Sequence, residues 1–568
     1  MFHIYIIMCG IFAIIRNFDS SIDFDRDKSF INKSFNKGQS RGPEHSVLSI
    51  INDNLLFGFH RLAINGLNSI SNQPLIYNGI YLICNGEIYN YKNIYSQLNV
   101  TPKTDSDCEA IIHMYLNYGM EYTLQNLDGV FSFVLYDSNK KCGYIARDPY
   151  GVRPLYYSIQ DGYFVCASLL KQVSSIVPIC NNFDSGTFMT FEITYEGIIC
   201  MNGCNHRYTS FNYSNVLVQK PHNIFKSSDM MYYYSRIYND LLNSVKKRVI
   251  TMDTNLACLL SGGLDSSLIS AMVSKFVPKG QLQTYSIGMQ GGSDLKYARE
   301  VSNHIHSNHT DVILTENDFF AAIPEVIYNI ESYDTTTVRA SVGNYLIAKY
   351  ISENSDAKVI FNGDGSDEVA GGYLYFHNCP SNIEFDHECK RLLNELQYFD
   401  VLRSDRTISC HGLEARTPFL DRTFVSNYLN IPSHLRNHNN FNTIEKHLIR
   451  GAVDVMDPRL LPQSVLWRKK EAFSDGISST EKSWYEIIQD KLDSKYTDEE
   501  FETLSKKYST NTPTTKEQLY YREVFSSHYP DNDHIIPYYW MPKYCDATDS
   551  SARSLEIYNN SYNLYTEK

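Results

Sequence analysis

The sequence predicts two α/β units in tandem: a mixed domain of stacked sheets, then a doubly wound parallel α/β domain whose remainder is mainly helical. Three observations predict this. From residue 9 to about 200, stretches rich in β-branched and aromatic residues recur between Gly, Asn, Asp and Pro, the composition of strands. From residue 256 short apolar strands alternate with helical stretches, the mark of a parallel sheet. A Gly-Gly turn, Ser261-Gly262-Gly263-Leu264-Asp265-Ser266, joins the first of those strands to a helix, and ligands bind at such strand ends.

In the first unit the strands read as 10–15, 47–51, 55–60, 80–85, 129–136 and 142–147, with a helix over 107–118 that opens on acidic residues. Residues 206–232 are polar, weakly periodic and contain Pro221, and read as a linker. Strands then fall at 256–260, 283–287, 310–314 and 359–361, with helices at 267–276, 294–306 and up to 350. The expected organisation is an extension over 1–8, a first domain over 9–205, the linker, a second domain over 233–535 and an extended tail over 536–568.

At 568 residues the chain is too long for one core and suggests about two to four domains. With 43% hydrophobic and 20% charged residues it reads as an ordinary globular protein. A formal net charge of -13 argues against nucleic-acid binding, so a phosphate-bearing ligand must be held locally by backbone amides, a few cations and a metal. The 13 cysteines form no CxxC pair, and Cys200 and Cys204 lack zinc-like partners, which points to reduced thiols in the cytoplasm. MFHIYII is too short and too poor in basic residues for a signal peptide, and no apolar run reaches membrane-spanning length.

Two features carry chemistry. Cys9, within Met8-Cys9-Gly10-Ile11, would be potent as a first residue, because its free α-amine can act as base for its own thiol. Residues 1–8 precede it, so amide hydrolysis depends on where the mature chain begins. In the phosphate-type loop, Gly262 and Gly263 allow close approach of an oxyanion, and the helix start directs N–H groups at it. Ser261 and Ser266 add hydroxyls, and Asp265 offers a hard oxygen to Mg²⁺. The Walker A spacing is absent. A second turn, Asn362-Gly363-Asp364-Gly365-Ser366-Asp367-Glu368, brings acids beside it, suited to metal binding and proton transfer.

The loop resembles the pyrophosphate-binding loop of ATP pyrophosphatases. Arg41-Gly42-Pro43-Glu44, His60-Arg61-Leu62-Ala63-Ile64, Asn85-Gly86-Glu87-Ile88-Tyr89-Asn90 and Ser106-Asp107-Cys108-Glu109, with Cys9, look like a class II glutamine amidotransferase domain. In this order the two resemble the glutamine-hydrolysing asparagine synthetases over about residues 8 to 555, supported by YDTTTVRAS at 333–341, GGYLYFH at 371–377, GLEARTPFLD at 412–421 and WRKKEAFSDG at 467–476. Trp540-Met541-Pro542-Lys543 looks more like the eukaryotic branch.

The resemblance implies an N-terminal nucleophile sandwich (αββα) before the adenylating domain. It implies that Cys9 attacks glutamine, that Asn85 and Gly86 form the oxyanion hole, and that Arg61, Leu62, Ala63, Ile64, Asn65, Glu87 and Asp107 bind glutamine. Leu259 and Ile287 would flank adenine, and Ser261, Gly262, Gly263, Asp265, Ser266, Asn362 and Gly363 would hold ATP. Thr336 and Arg339 would fix aspartate, Lys470 would neutralise the α-phosphate, and Asp265 and Asp367 would hold Mg²⁺. No tightly bound organic cofactor is implied. The partners are glutamine, aspartate and ATP, and the family suggests a homodimer.

Three departures stand out: the residues before Cys9, Asp364 where the family carries Glu (with Asn362 for Ser), and Glu44 for Asp, expected to matter little. Asp364 remains the candidate acid–base residue. The rival readings are an ammonia-only synthetase or a non-catalytic scaffold if the extension is retained, and a related adenylating amidotransferase acting on another carboxylate. His304, His306 and His309 lack the spacing of a metal site on one helix face.

Overall fold

The computed structural model describes residues 9–194, 199–209, 227–478 and 482–555. The extension, most of the linker, the end of the tail and the side chains of Cys200 and Cys204 lie outside the described residues.

The first domain is built from β1 (Gly10–Arg16), β2 (His45–Asn52), β3 (Leu55–Arg61), β4 (Leu75–Tyr77), β5 (Ile80–Ile88), β6 (Gly129–Asp137), β7 (Cys142–Arg147), β8 (Tyr156–Gln160), β9 (Tyr163–Ala167), β10 (Asn181–Asn182), β11 (Thr187–Ile193) and β12 (Ile199–Arg207). They form two six-stranded antiparallel sheets, in the orders β10-β8-β9-β1-β3-β2 and β12-β11-β7-β6-β5-β4. β1 alternates with period two, as a strand must. Ile11, Ala13 and Ile15 enter the core between the sheets with Phe57, Phe59, Ile83 and Val134. Phe12 and Ile14 point the other way, packing with Ile31 and Phe35 of the outer helix Lys28–Asn36. Helix Glu109–Tyr118 covers the second sheet through Ile111, Ile112 and Tyr115. The layers are therefore helix, sheet, sheet, helix.

β12 runs to Arg207 and helix Ser227–Ile250 begins inside the expected linker, so both ends of that segment are regular structure. The second domain holds β13 (Leu256–Leu259), β14 (Gln283–Gly288), β15 (Asn308–Ile313), β16 (Val359–Phe361) and β17 (Glu414–Arg416), in the parallel order β15-β14-β13-β16-β17. Order reverses beside β13, where the first strand's neighbours are β14 and β16, and a crevice opens at the carboxyl ends of these strands. β17, a three-residue strand inside a helical region, is absent from the sequence reading. No described helix is long and apolar enough to cross a membrane.

The tail departs from an extended segment. Trp540 is buried, its N–H donating to Asp334 Oδ1 at 2.7 Å, and Ser551 Oγ donates to Asp475 Oδ1 at 2.9 Å. Arg553 pairs with Glu471 at 2.8 Å. An apolar Trp in a polar stretch was the signal, because a solvated tail has no use for one.

Candidate active sites

Cys9 sits at the mouth of β1. Its Sγ lies 3.3 Å from the Leu62 amide, which donates to it, and 3.4 Å from the Leu62 carbonyl. Burial pushes the thiol up to about 12, a protonated resting state that needs a base close by. The Cys9 carbonyl accepts from Arg41 Nε at 2.9 Å. Gly42 must be glycine, since a Cβ there would stand 2.3 Å from the His60 carbonyl carbon; this close approach seats the Arg41 turn against β3.

Cys9 faces a small pocket of ≈ 20 Å³, bordered by Arg61, Leu62, Ile64, Asn65, Gly86, Glu87 and Asp107. That volume holds about one water, so a glutamine side chain requires the Leu62–Asn65 segment to yield. Ala63 is held by its amide, which donates to Glu44 Oε2 at 2.6 Å. Arg61 donates to Asn68 O at 2.8 Å, Asn72 Oδ1 at 2.6 Å and the Gly66 carbonyl. Asn85 stands just behind the pocket, with Nδ2 3.4 Å from Ser168 Oγ and Oδ1 buried without a partner. Asp107 accepts from the Ile88 amide at 2.5 Å, and burial raises its carboxyl to about 6. Glu87 accepts from Asn65 Nδ2 at 2.7 Å, and burial together with Glu414 and Asp107 raises it well above the carboxylate range.

The second pocket, ≈ 250 Å³, opens at the ends of β13 and β16. Leu259, Ile287 and Tyr285 make its apolar side. Ser261 Oγ and Ser266 Oγ lie 2.9 Å apart, closing the loop on itself, and Gly262 adopts φ 80° with its carbonyl accepting from Arg468 Nη1 at 3.0 Å. Gly363 presses on the loop: a Cβ there would fall 2.8 Å from the Ser266 amide nitrogen. Asp265 and Asp367 converge on Lys446, each 2.6 Å from its Nζ, and Lys470 lies 2.6 Å from Asp367. Burial opposes ionisation of Asp367, yet the two lysines hold it far below the carboxylate range. Burial likewise opposes Lys470, and Asp367 and Asp265 raise it.

Asp364 Oδ1 accepts from Arg403 Nη2 at 2.9 Å, while Oδ2 is buried without a partner. Burial raises this carboxyl and Arg403 counters it. Asn362 Nδ2 donates to Ser404 Oγ at 2.7 Å and its backbone N–H to Arg416 O at 3.1 Å. Thr336 lines the pocket, and Trp540, Pro542, Ser550, Ala552 and Leu555 of the tail complete the wall. Arg339 does not reach it. Its guanidinium is spent on Glu517 at 2.6 Å and Asp549 at 2.7 Å, docking the tail, while the expectation for this residue was a place on aspartate.

The asparagine synthase family profile matches residues 236–387 and 383–548, and the glutamine amidotransferase domain profile matches residues 8–200. The glutamine-hydrolysing asparagine synthetase of Gallus gallus is 41% identical over 572 residues, covering 98% of this chain and 100% of its own. The chain belongs to the glutamine-hydrolysing asparagine synthetase family. The Bos taurus synthetase is 41% identical (97% and 99% covered) and the Homo sapiens synthetase 40% (98% and 100%).

Several residues of this synthetase escaped sequence reasoning. Lys446 occurs in no glycine-rich turn, and its αL backbone (φ 59°) is invisible in composition. Arg403, Asp405, Glu414 and Arg416 each also reach a residue distant in sequence (Asp364, Arg41, Arg153 and Glu87); the last two fall in the GLEARTPFLD match, which carried no role. Glu44 also does more than close a turn, for its second oxygen pairs with Lys358 Nζ across the domain boundary.

Proposed function

We propose that the chain makes asparagine from aspartate, ATP and glutamine, releasing glutamate, AMP and pyrophosphate. The observation that carries this reading is the pairing of a Cys9 pocket in one domain with a loop–lysine–carboxylate pocket in the other, in a chain of this family.

In the first site, with Cys9 as first residue, its amine takes the thiol proton and Sγ attacks the glutamine amide carbon. Asn85 Nδ2 and the Gly86 amide receive the oxyanion, where one lost donor typically costs on the order of 100-fold. Ammonia leaves, and water later cleaves the thioester. Glu87, Asp107 and Asn65 are suited to the α-ammonium, and Arg61 to the α-carboxylate once it exchanges its carbonyl partners. In the second site an aspartate β-carboxylate oxygen bonds to the α-phosphorus and the bond to the β-phosphate breaks, releasing pyrophosphate. Ammonia then attacks the acyl carbon, AMP departs, and Asp364 Oδ2 accepts the ammonia proton. Thr336 and Arg403, both on the pocket wall, are suited to the aspartate α-groups.

The donor set fits Mg²⁺: Asp265 and Asp367 are hard carboxylates drawn together by Lys446 beside the phosphate-type loop, where they would hold the ion. Bound there, Mg²⁺ would supply charge neutralisation to the phosphate oxygens. Lys446 and Lys470 hold those carboxylates in place and offer their own charge to the α-phosphate. The reading includes a cytoplasmic homodimer, which light scattering tests.

Amide-¹⁵N glutamine supplied with aspartate and Mg-ATP tests the reaction. Label is expected in asparagine, with AMP and pyrophosphate as products. Formation of ADP and inorganic phosphate, or unlabelled asparagine, refutes it.

A further inference from the structure

The helix Asp400–Ser409 lies between the two sites, and its register sends side chains to both. Arg403 reaches Asp364 at 2.9 Å, and Ser404 accepts from Asn362 at 2.7 Å. Two residues beyond Arg403, about 200° around the helix, Asp405 points the opposite way. Its Oδ1 stands 2.7 Å from Arg41 Nη1 and its Oδ2 3.1 Å from Arg41 Nη2, a two-point fork. One turn on, Ser409 Oγ accepts from the same Nη1 at 2.8 Å. Arg41 Nε is thereby aimed at the Cys9 carbonyl, 2.9 Å away.

We infer that Asp405, a residue of the synthetase domain, is a positioning residue for the glutaminase nucleophile: through Arg41 it fixes the Cys9 backbone, from the helix whose other face holds Asp364. Arg41 and Asp405 are both about 1% exposed, so the fork works without competition from water. Among the described residues, Cys9 hydrogen-bonds through its carbonyl to Arg41 and through the weak Sγ contacts to Leu62. A first residue has no preceding peptide unit to hold it. With the α-amine engaged as base, its carbonyl is the backbone group left to anchor it, and a lapse of about 1 Å between thiol and amide carbon costs on the order of 100-fold. Asp405 also stands 3.5 Å from Arg153, which pairs with Glu414 at 2.9 Å, so the fork is tied into the charged interface between the domains.

The inference rests on Cys9 being the glutaminase nucleophile, and the test separates the two. In full-length chains beginning at Cys9, Asp405→Asn and Ser409→Ala are compared with the unaltered chain in three assays: glutamine hydrolysis, ammonia-supported pyrophosphate release, and the rate of Cys9 alkylation by iodoacetamide read by peptide mass spectrometry. For Asp405→Asn, glutaminase kcat is expected to fall about tenfold with KM for glutamine within about twofold, while ammonia-supported release is kept and Cys9 alkylation changes several-fold. Ser409→Ala, which strands no charge, is expected to show a smaller fall in the same split, and it decides the matter if Asp405→Asn does not fold. An unchanged glutaminase kcat overturns the inference, and so does an equal loss of both activities. If the unaltered chain hydrolyses no glutamine, the functional reading fails instead, and the change in alkylation alone still judges the positioning role.

Discussion

Arg416 and Glu87 meet across the domain boundary, guanidinium Nη2 to carboxylate Oε2 at 3.1 Å, with both side chains buried. Arg416 belongs to β17 of the second domain, and Glu87 lines the Cys9 pocket. The same Arg416 accepts, through its backbone carbonyl, from the amide of Asn362 at 3.1 Å. One residue thus links the linings of both pockets.

Removing Arg416 leaves Glu87 and Glu414 buried with less compensation, a change that costs roughly 3–5 kcal/mol when a buried pair is broken. Arg416→Met is expected to lower the urea midpoint markedly, and Glu87→Gln added to it to recover part of the loss. A double-mutant cycle from urea unfolding checks this, and strictly additive effects would deny the coupling.

Chains produced with Cys9 as first residue are expected to hydrolyse glutamine. Chains verified by mass to retain Met8 are expected to keep only ammonia-supported synthesis, because their α-amine is bound in a peptide. Full glutaminase activity in a chain retaining Met8 sinks this account.

The short carboxylate at 364 is matched to its partner. Asp364→Asn is expected to lower asparagine formation on the order of 100-fold. Asp364→Glu is expected to lower it by roughly tenfold, since the extra methylene pushes against Arg403. Steady-state pyrophosphate release measures both, and a gain on Asp364→Glu contradicts the fit.

Arg339→Gln is expected to undock the tail rather than to weaken aspartate selectively. Limited proteolysis should cut between residues 540 and 555 faster in the variant. A variant with intact tail protection and a raised KM for aspartate alone reverses the assignment.

His377, His438 and His447 lie together, with His377 and His438 ring centroids 4.3 Å apart. Burial lowers His377 and His447 to about 4, and lowers His438 as well. The unfolded chain binds these protons near pH 6.5, and the folded chain refuses those of His377 and His447 until about pH 4 and that of His438 below its ordinary value too, so stability present above pH 6.5 is lost as pH falls. Each histidine contributes at most about 1.4 kcal/mol per pH unit. His438→Gln is expected to flatten the fall in melting temperature between pH 6.5 and 4; an unchanged slope removes the cluster from the account.

What was legible in the sequence was local. β1, β3, β6 and β7 followed from runs of β-branched and aromatic residues between turn residues, and the loop at 261–266 from its glycines, because such signals reside in neighbouring residues. Arg339 shows the limit. A buried cation in a motif looks the same in sequence whether it meets a substrate carboxylate or Glu517, 178 positions away. Lys446 and Asp405 were missed for the same reason, since their partners are set by packing of distant segments. β17 is too short to show any period.

The pocket at the ends of β13 and β16 takes part of its wall from Trp540, Pro542, Ala552 and Leu555. A polypeptide emerging from the ribosome therefore carries its phosphate loop, lysines and acids long before it can enclose ATP. The segment that seals the chamber is made after all of these groups, so a product terminated before residue 540 has every reactive group and an open wall.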